Sequence, residues 1–556
     1  MTKVFSFVLA LSLMGGAAMG AVIPQPKKMT AQPGEFTLTA QTALVYDSSI
    51  AGEKEAAEFF ATAIEPATGF KLALKSEKAK NEIVFAAPEA DKAFPSEGYA
   101  LSVTPNKITV TAGDAAGYFY AIQTLRQLLP TAVFAPEAQK NVKWTIPCTE
   151  IEDSPQFTWR GIMLDASRTY YTKQQVLRFI DLLSIHKYNV MHFHLVDDQG
   201  WRVEIEKYPD LVKYGAIWMG PPPRPGNPNY VPGEKFVQKP QEGLYYTKAD
   251  IKEIVAFAKA RHITVVPEVE LPGHAFAALT AYPEFSCQGD KLFEKRPRQP
   301  EQECGIYKDV FCVGNKKTIQ FLEDVIDEFC EMFDSPYIHI GGDESPRDRW
   351  KACPKCQEKI KKEGLKDEHE LQTWLTTHMV NYIEGKGRHA IGWDEILAPK
   401  LDKKAIVMSW RGAKGGISAA SQGYDVIMAP NSHCYFNYTQ FKVGDTYEYK
   451  RPKLIDNKKV YQFDPFEKIP QAQQKHIIGA EACFWANWSR GQEYMDWKVF
   501  PRACVMSEAL WTYPNPKARD YEEFDARLTE HKERLKNLGV NYAVPPVVTP
   551  DSKPNI

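Results

Sequence analysis

No basic block interrupts this 556-residue chain, and charge of either sign is scarcely in excess: 68 lysines and arginines face 70 aspartates and glutamates, for a formal net charge of −2. The charges are mixed along the sequence, so the electrostatic footprint of a nucleic-acid binder is missing and no nucleic-acid partner is expected. Long apolar runs are lacking as well. The one run of note, residues 4–14, follows Lys3 and precedes the small residues Ala18-Met19-Gly20, the layout of a cleavable export signal ending before Ala21. No cysteine follows those small residues, so a lipid anchor is not supported, and no other run is long enough to span a bilayer. The expected destination is the periplasm or the exterior. Metal-ligand spacing is scarce too. Of ten cysteines, only Cys353-Pro-Lys-Cys356 has the spacing of a redox pair or half a zinc site, and no second Cys or His pair with ligand spacing lies near it in sequence. A local structural role is expected for it, with no cofactor and no metal.

What the chain has in quantity is apolar and aromatic mass: 44% hydrophobic residues, 12 Trp and 26 Tyr, enough for a large core and more than one domain. Aromatic faces also suit the apolar faces of sugars, although most are packing residues. The pattern divides the chain into a signal at 1–20, a small α/β domain at 21–150, a larger domain at 151–515, and a terminal helix and extended tail at 516–556. In the small domain, strand-like runs at 36–45, 82–86, 100–103 and 108–111 accompany helical spacing at 52–64 and 115–129. No chemistry-bearing constellation appears there.

From Trp159 onward the pattern becomes repetitive. Strand candidates at 160–164, 190–196, 264–269, 337–340, 390–393, 405–410, 425–429 and 477–484 alternate with helical runs at 173–186, 248–261, 317–333, 368–384 and 416–422. About eight β/α units predict a closed (β/α)8 barrel, whose active site is built by the loops after the strands. Those positions hold Arg168, Asp197 with Asp198, His274, Asp343 with Glu344, Trp393 with Asp394, Trp410, His433 with Tyr435, and Trp485. An adjacent Asp-Glu pair more often just opens a loop and caps a helix. Here nearly every strand sends a polar or aromatic side chain to the same end, which favours chemistry. Mutual repulsion of Asp343 and Glu344 would hold one of them protonated, and Glu344 is the general-acid candidate.

Four segments then resemble the glycoside hydrolase family 20 β-N-acetylhexosaminidases. They are Leu164-Asp165-Ala166-Ser167-Arg168, residues 192–201 (HFHLVDDQGW), residues 267–274 (PEVELPGH) and His339-Ile340-Gly341-Gly342-Asp343-Glu344. The resemblance implies a retaining enzyme that removes terminal β-linked GlcNAc or GalNAc, with the sugar's own acetamido oxygen as nucleophile and an oxazolinium intermediate. It implies Glu344 as acid, Asp343 and Tyr435 as partners of the acetamido group, and Trp393, Trp410 and Trp485 as pocket walls. Arg168 would hold the outer hydroxyls, with Asp197 and His274 as a pair behind the acid.

Two positions depart from the family pattern. Asn437 stands where Asp is usual after Tyr435-Phe436, and Asn487 where Glu is usual after Trp485-Ala486. Both normally read the C4 and C6 hydroxyls, so loss of two carboxylates lowers repulsion against an anionic group there. This suggests 6-O-sulfated β-GlcNAc, of mucin or glycosaminoglycan origin, as a substrate; neutral drift with ordinary specificity is the plain alternative. Both asparagines also fall in Asn-x-Ser/Thr sequons, although placement in a pocket argues against glycans there. Two other classes remain in view. His192 and His194 share one strand face, a spacing that binds metal in barrel hydrolases, and the departures leave room for a carbohydrate-binding protein without turnover.

Overall fold

The structure, a computed structural model, describes residues 21–75, 80–90, 93–218, 240–442, 453–487, 489, 491–513 and 518–546. The expected signal lies outside the described residues, as does the end of the expected tail. The chain divides into two compact units, Met1–Ser154 and Pro155–Ile556.

The first unit is a seven-stranded mixed sheet in the order Lys28–Thr37, Thr145–Asp153, Tyr99–Val103, Lys107–Ala112, Glu82–Ala86, Ala43–Val45, Ala73–Lys75. Two helices, Glu53–Thr68 and Ala115–Leu128, pack on it. Alternation is plain in Lys107–Ala112, where every second residue is buried, as expected of a strand with one covered face. Asp114 starts the second helix by accepting the Gly117 amide at 2.8 Å.

The second unit is a closed barrel of eight parallel strands: Trp159–Asp165, Val190–His194, Thr264–Glu268, Tyr337–His339, His389–Trp393, Ile406–Ser409, Val426–Met428 and Ile477–Phe484. All eight expected strand positions are occupied. The strands read as near-continuous apolar runs because both faces are covered; all seven residues of Trp159–Asp165 are buried. Amphipathic helices follow, and capping boxes fix where two of them begin: Thr172 with Gln175 before Lys173–Ile185, and Thr247 with Asp250 before Lys248–Lys259. The expected final helix forms at Tyr521–Asn537.

One expectation is corrected by the fold. Cys353 and Cys356 do meet a second cysteine pair, Cys287 and Cys312, because the loops after the third and fourth barrel strands cross there. Linear spacing cannot register ligands brought together from segments so far apart.

Candidate active site

At the carboxyl end of the first barrel strand, Asp165 turns the chain. Its Oδ1 accepts the amides of Ser167 (3.1 Å) and Arg168 (3.0 Å), while its Oδ2 accepts the Ala486 amide at 3.0 Å. That double use ties the first strand's loop to the eighth and places Arg168 beside Trp485, with the guanidinium carbon 5.1 Å from the indole centroid. Arg168 is held by Asp197 at 2.5 Å, Asp165 at 3.3 Å and Gln199 Oε1 at 2.7 Å. Asp197 is in turn kept well below the usual carboxylate range: its burial is outweighed by the charges of Arg168 and His274.

The catalytic candidates sit on strained backbone. Gly341 and Gly342 have φ of 61° and 99°, and Glu344 and His274 have φ of 40° and 46°, all in the left-handed region that costs a non-glycine residue energy. Glycine is required at 341 because a Cβ there would lie 1.8 Å from Glu270 Oε2, and at 342 because one would lie 2.6 Å from Ile396. The two glycines let the strand end turn and deliver adjacent carboxyls to one place. The Asp343 side chain is 12% exposed and that of Glu344 35%. The inner carboxyl therefore faces the pocket floor and the outer one its mouth.

Between them and the strand network lies His274. Its Nε2 is 3.7 Å from Glu344 Oε2 and 3.8 Å from Asp343 Oδ2; its Nδ1 is 3.0 Å from Asp198 Oδ2 and 3.3 Å from Asp197 Oδ1. Burial opposes a charge on the ring, but Asp197, together with hydrogen bonds to Asp197, Asp198 and Glu344, raises its pKa well above that of a free imidazole. His274 is thus a cation behind two carboxyls. The resemblance pairs His274 with Asp197; Asp198, at the same strand end, is the nearer of the two. The signal was the Asp-Asp pair itself, but a two-residue hairpin pairing Val196–Asp197 with Gly200–Trp201 decides which carboxylate turns where.

Burial pushes Asp343 up to about 6, helped by the carboxylates of Glu268, Glu344 and Asp197 and opposed by His274. The sequence argument takes Glu344 as the acid of the pair; Asp343 is the more deeply buried of the two. Asp343 Oδ1 is buried without a hydrogen-bond partner among the described residues.

Beside Asp343 the aromatic residues form a box. Trp410 and Tyr435 are stacked at 6.1 Å, Tyr435 and Trp485 lie 6.0 Å apart, and Trp393 and Trp485 5.8 Å apart. Two of the indoles are anchored by their polar edges: Trp393 Nε1 donates to Glu268 at 3.0 Å and Trp410 Nε1 to Glu395 at 2.9 Å, while Trp485 Nε1 is buried without a partner among the described residues. The Phe436 amide bonds the Cys483 carbonyl at 2.9 Å, which sets Tyr435 against the eighth strand. His433, the other candidate on that loop, instead packs on Phe463 at 5.6 Å.

Glu395 was not singled out from the sequence. Burial, then Asp343, pushes its carboxyl up to about 8, and it lines an open depression with Glu344, Arg347, Trp410 and Arg411. Asn437 is buried with Oδ1 unpartnered among the described residues. Asn487 lines a narrow cleft with Arg168, Gln199 and Glu301. The rim on the Asn487 side therefore carries a carboxyl after all, from Glu301, which pairs with Arg296 at 2.6 Å.

Beneath the box, His192 and His194 are fully buried against Glu268, and His192 Nδ1 is 2.7 Å from Glu481. Although burial opposes it, Glu481 and Glu268 raise His192 to about 10, and Glu268 and Asp197 raise His194 to about 9. Both ring nitrogens of each histidine face carboxylates, Glu268 and Glu481 around His192 and Glu268 and Asp197 around His194, so the two histidines tie three strands together as supports of the barrel floor.

An adjacent carboxyl pair, a cation behind it and an aromatic box beside it, all at the carboxyl end of a parallel barrel, define a barrel glycoside hydrolase. Comparison with known proteins gives the family. Residues 157–514 match the model of the glycosyl hydrolase family 20 catalytic domain and residues 20–154 that of the family's domain 2. The chain is 35% identical over 534 residues to a β-hexosaminidase of Porphyromonas gingivalis, covering 94% of this chain and 64% of that protein. It is 30% identical over 496 residues to a β-hexosaminidase of Vibrio furnissii, covering 88% and 76%. The crystal structure of the family 20 exo-β-N-acetylglucosaminidase of Vibrio harveyi in complex with N-acetylglucosamine superposes with a TM-score of 0.80 at 28% identity, covering 95% of this chain and 79% of that one. The chain belongs to glycosyl hydrolase family 20, and is a hydrolase of the β-N-acetylhexosaminidase class.

Proposed function

We propose that the protein is a retaining exo-β-N-acetylhexosaminidase that removes terminal non-reducing β-GlcNAc or GalNAc by substrate-assisted catalysis. The observation that carries this reading is the buried, unpartnered Asp343 Oδ1 next to the aromatic box. An acetamido group seated between Trp393, Trp485 and Tyr435 would donate its N–H to that oxygen, and its carbonyl oxygen would be turned toward the anomeric carbon. Attack by that oxygen forms the C1–O bond of an oxazolinium as the glycosidic C1–O bond breaks, and Glu344 gives its proton to the departing oxygen. The positive charge that develops on the amide nitrogen is met by Asp343. Glu344, now a carboxylate, then takes a proton from water as it attacks C1, opening the oxazolinium with net retention. His274, anchored by Asp197 and Asp198, steadies the charge of both carboxyls through the cycle. Trp410 walls the pocket opposite Trp485, and Arg168 presents donors to the outer hydroxyls.

The same reading extends to 6-O-sulfated β-GlcNAc. Asn437, buried with its Oδ1 unpartnered among the described residues, supplies an amide where a carboxylate would repel sulfate. The ratio of kcat/KM for an aryl β-GlcNAc and its 6-O-sulfated analogue tests it. Comparable or better cleavage of the sulfated compound supports the extension; cleavage of the neutral compound alone rejects it. Tight binding of both without turnover rejects the hydrolase reading itself. We further propose cleavage of an export signal before Ala21, which amino-terminal sequencing of protein recovered outside the cytoplasm would check.

A further inference from the structure

Outside the sugar pocket, four cysteines from three separate stretches of chain converge. Cys287 follows the third barrel strand's loop, Cys312 ends the segment that returns from it, and Cys353 and Cys356 lie beyond Glu344 on the fourth strand's loop. The sulfur atoms of Cys287 and Cys356 are 3.8 Å apart, those of Cys312 and Cys353 3.7 Å, and those of Cys312 and Cys356 3.6 Å; all four lie within 4.8 Å of one another. A tetrahedral Zn–S4 centre with bonds of about 2.3 Å has sulfur–sulfur edges of about 3.8 Å. Two disulfides would instead give two contacts of about 2.05 Å and leave the other edges long. Three of the six edges are nearly equal and join all four sulfurs in an unbroken chain, which is the shape of one shared ligand shell rather than of two pairs.

The surroundings are built for that shell. Cys312, Cys353 and Cys356 are buried and Cys287 is partly open, a route for a metal to enter. Gly314 is forced by the close approach of the two loops, since a Cβ there would lie 2.2 Å from the Lys355 carbonyl carbon. Pro354 opens the ten-residue helix Pro354–Glu363 directly after Cys353, which sets the positive end of the helix next to the cluster, where it favours thiolate charge. Around the cluster, Phe311 bonds its amide to the Pro272 carbonyl at 3.0 Å, Cys312 bonds its amide to the Phe285 carbonyl at 2.7 Å, and Trp350 Nε1 donates to the Phe311 carbonyl at 2.9 Å.

We propose that Cys287, Cys312, Cys353 and Cys356 bind one structural zinc ion that clamps the loop carrying His274 to the loop carrying Asp343 and Glu344. The ion also fixes both ends of the segment 288–311. That segment reaches the sugar pocket: the Glu301 amide bonds the Asp198 carbonyl at 3.0 Å, and Gln199 Nε2 bonds the Glu303 carbonyl at 2.8 Å. Asp309 fastens its far end to Arg349 at 2.8 and 3.1 Å. Zinc here takes no part in the chemistry. Its closed four-thiolate shell leaves no open position for water, and it acts by holding two loops and a flap in register.

The test is metal analysis of the full-length protein purified without metal-affinity steps, joined to X-ray absorption at the zinc edge. The expected result is one zinc per chain with four sulfur neighbours at about 2.3 Å, released when a mercurial reagent titrates four thiols. Non-reduced peptide mapping that finds two disulfides among these cysteines, or four free thiols without metal, overturns the proposal; one iron per chain in the same shell overturns the assignment to zinc. Cys287→Ala is expected to lose the zinc, to melt at lower temperature and to raise KM more than it lowers kcat. Cys287→His, which keeps a permitted zinc ligand, is expected to retain the metal and restore KM. Equal loss in both variants would contradict ligation at this position.

Discussion

Replacing Asp343 with asparagine removes one charge and almost no volume, so it isolates electrostatics at the pocket floor. Raising this carboxyl from 3.8 to about 6 means that the folded protein disfavours its ionised form by about 3 kcal/mol. Positive charge appearing on the acetamido nitrogen next to Asp343 Oδ1 relieves that cost in the transition state and in no earlier state. Asparagine has nothing to be relieved, and loss of a preorganised electrostatic partner of this size corresponds to a roughly 100- to 1,000-fold fall in kcat. The sign of the pH effect follows from the same shift. Below about 6 Asp343 takes up a proton and cannot meet the developing cation, so the parent's kcat/KM falls as pH drops through that value. Asp343→Asn has no such group, and its residual activity should lack that acid limb. The assay is hydrolysis of 4-nitrophenyl β-GlcNAc across the pH range for both proteins. A variant within about tenfold of the parent, or one that keeps the same limb, would refute the reasoning.

Glu344→Gln should lose roughly 100- to 10,000-fold on a substrate with a sugar leaving group, and much less on a nitrophenyl glycoside whose phenolate departs without a proton; comparing the two substrates reads this directly. Asn437→Asp returns a negative charge to the rim and should depress cleavage of 6-O-sulfated GlcNAc while leaving the neutral sugar nearly unchanged, measured as the ratio of kcat/KM. Gly341→Ala forces a Cβ onto the Glu270 carboxyl in a left-handed conformation and should cost at least about 1–3 kcal/mol of stability, read as a lower urea midpoint.

The barrel was legible in sequence because its strands are short, buried on both faces and spaced by amphipathic helices. Where those conditions fail, sequence reading missed elements. Thr145–Asp153 carries Pro147 and acidic residues, and the early part of Lys28–Thr37 is exposed, contains Pro33 and shifts register between Ala31 and Glu35. In the site, Arg168, Asp343, Glu344, Trp393, Tyr435 and Trp485 are legible because each follows a strand end, so the barrel's own order places them on one face. Residues whose part depends on tertiary burial are not. Asp198 outranks Asp197 as the nearer partner of His274 only through a tight hairpin, and Glu395 becomes notable only when folding buries it near Asp343. The cysteine cluster needed two crossing loops. Glu301 reaches the Asn487 cleft from a segment with no regular pattern of its own.

Everything in the proposed chemistry depends on the substrate's acetamido oxygen, oriented by Asp343, being the nucleophile. The most direct test is the rate of hydrolysis of 4-nitrophenyl β-glucosaminides bearing acetyl, fluoroacetyl, difluoroacetyl and trifluoroacetyl groups on nitrogen. Fluorine withdraws electrons from the carbonyl oxygen while changing its size little. Attack by the acetamido oxygen requires a steep, monotonic fall in kcat along the series, with retained anomeric configuration throughout; a flat series would mean that an enzyme carboxylate, and not the acetamido oxygen, attacks the anomeric carbon.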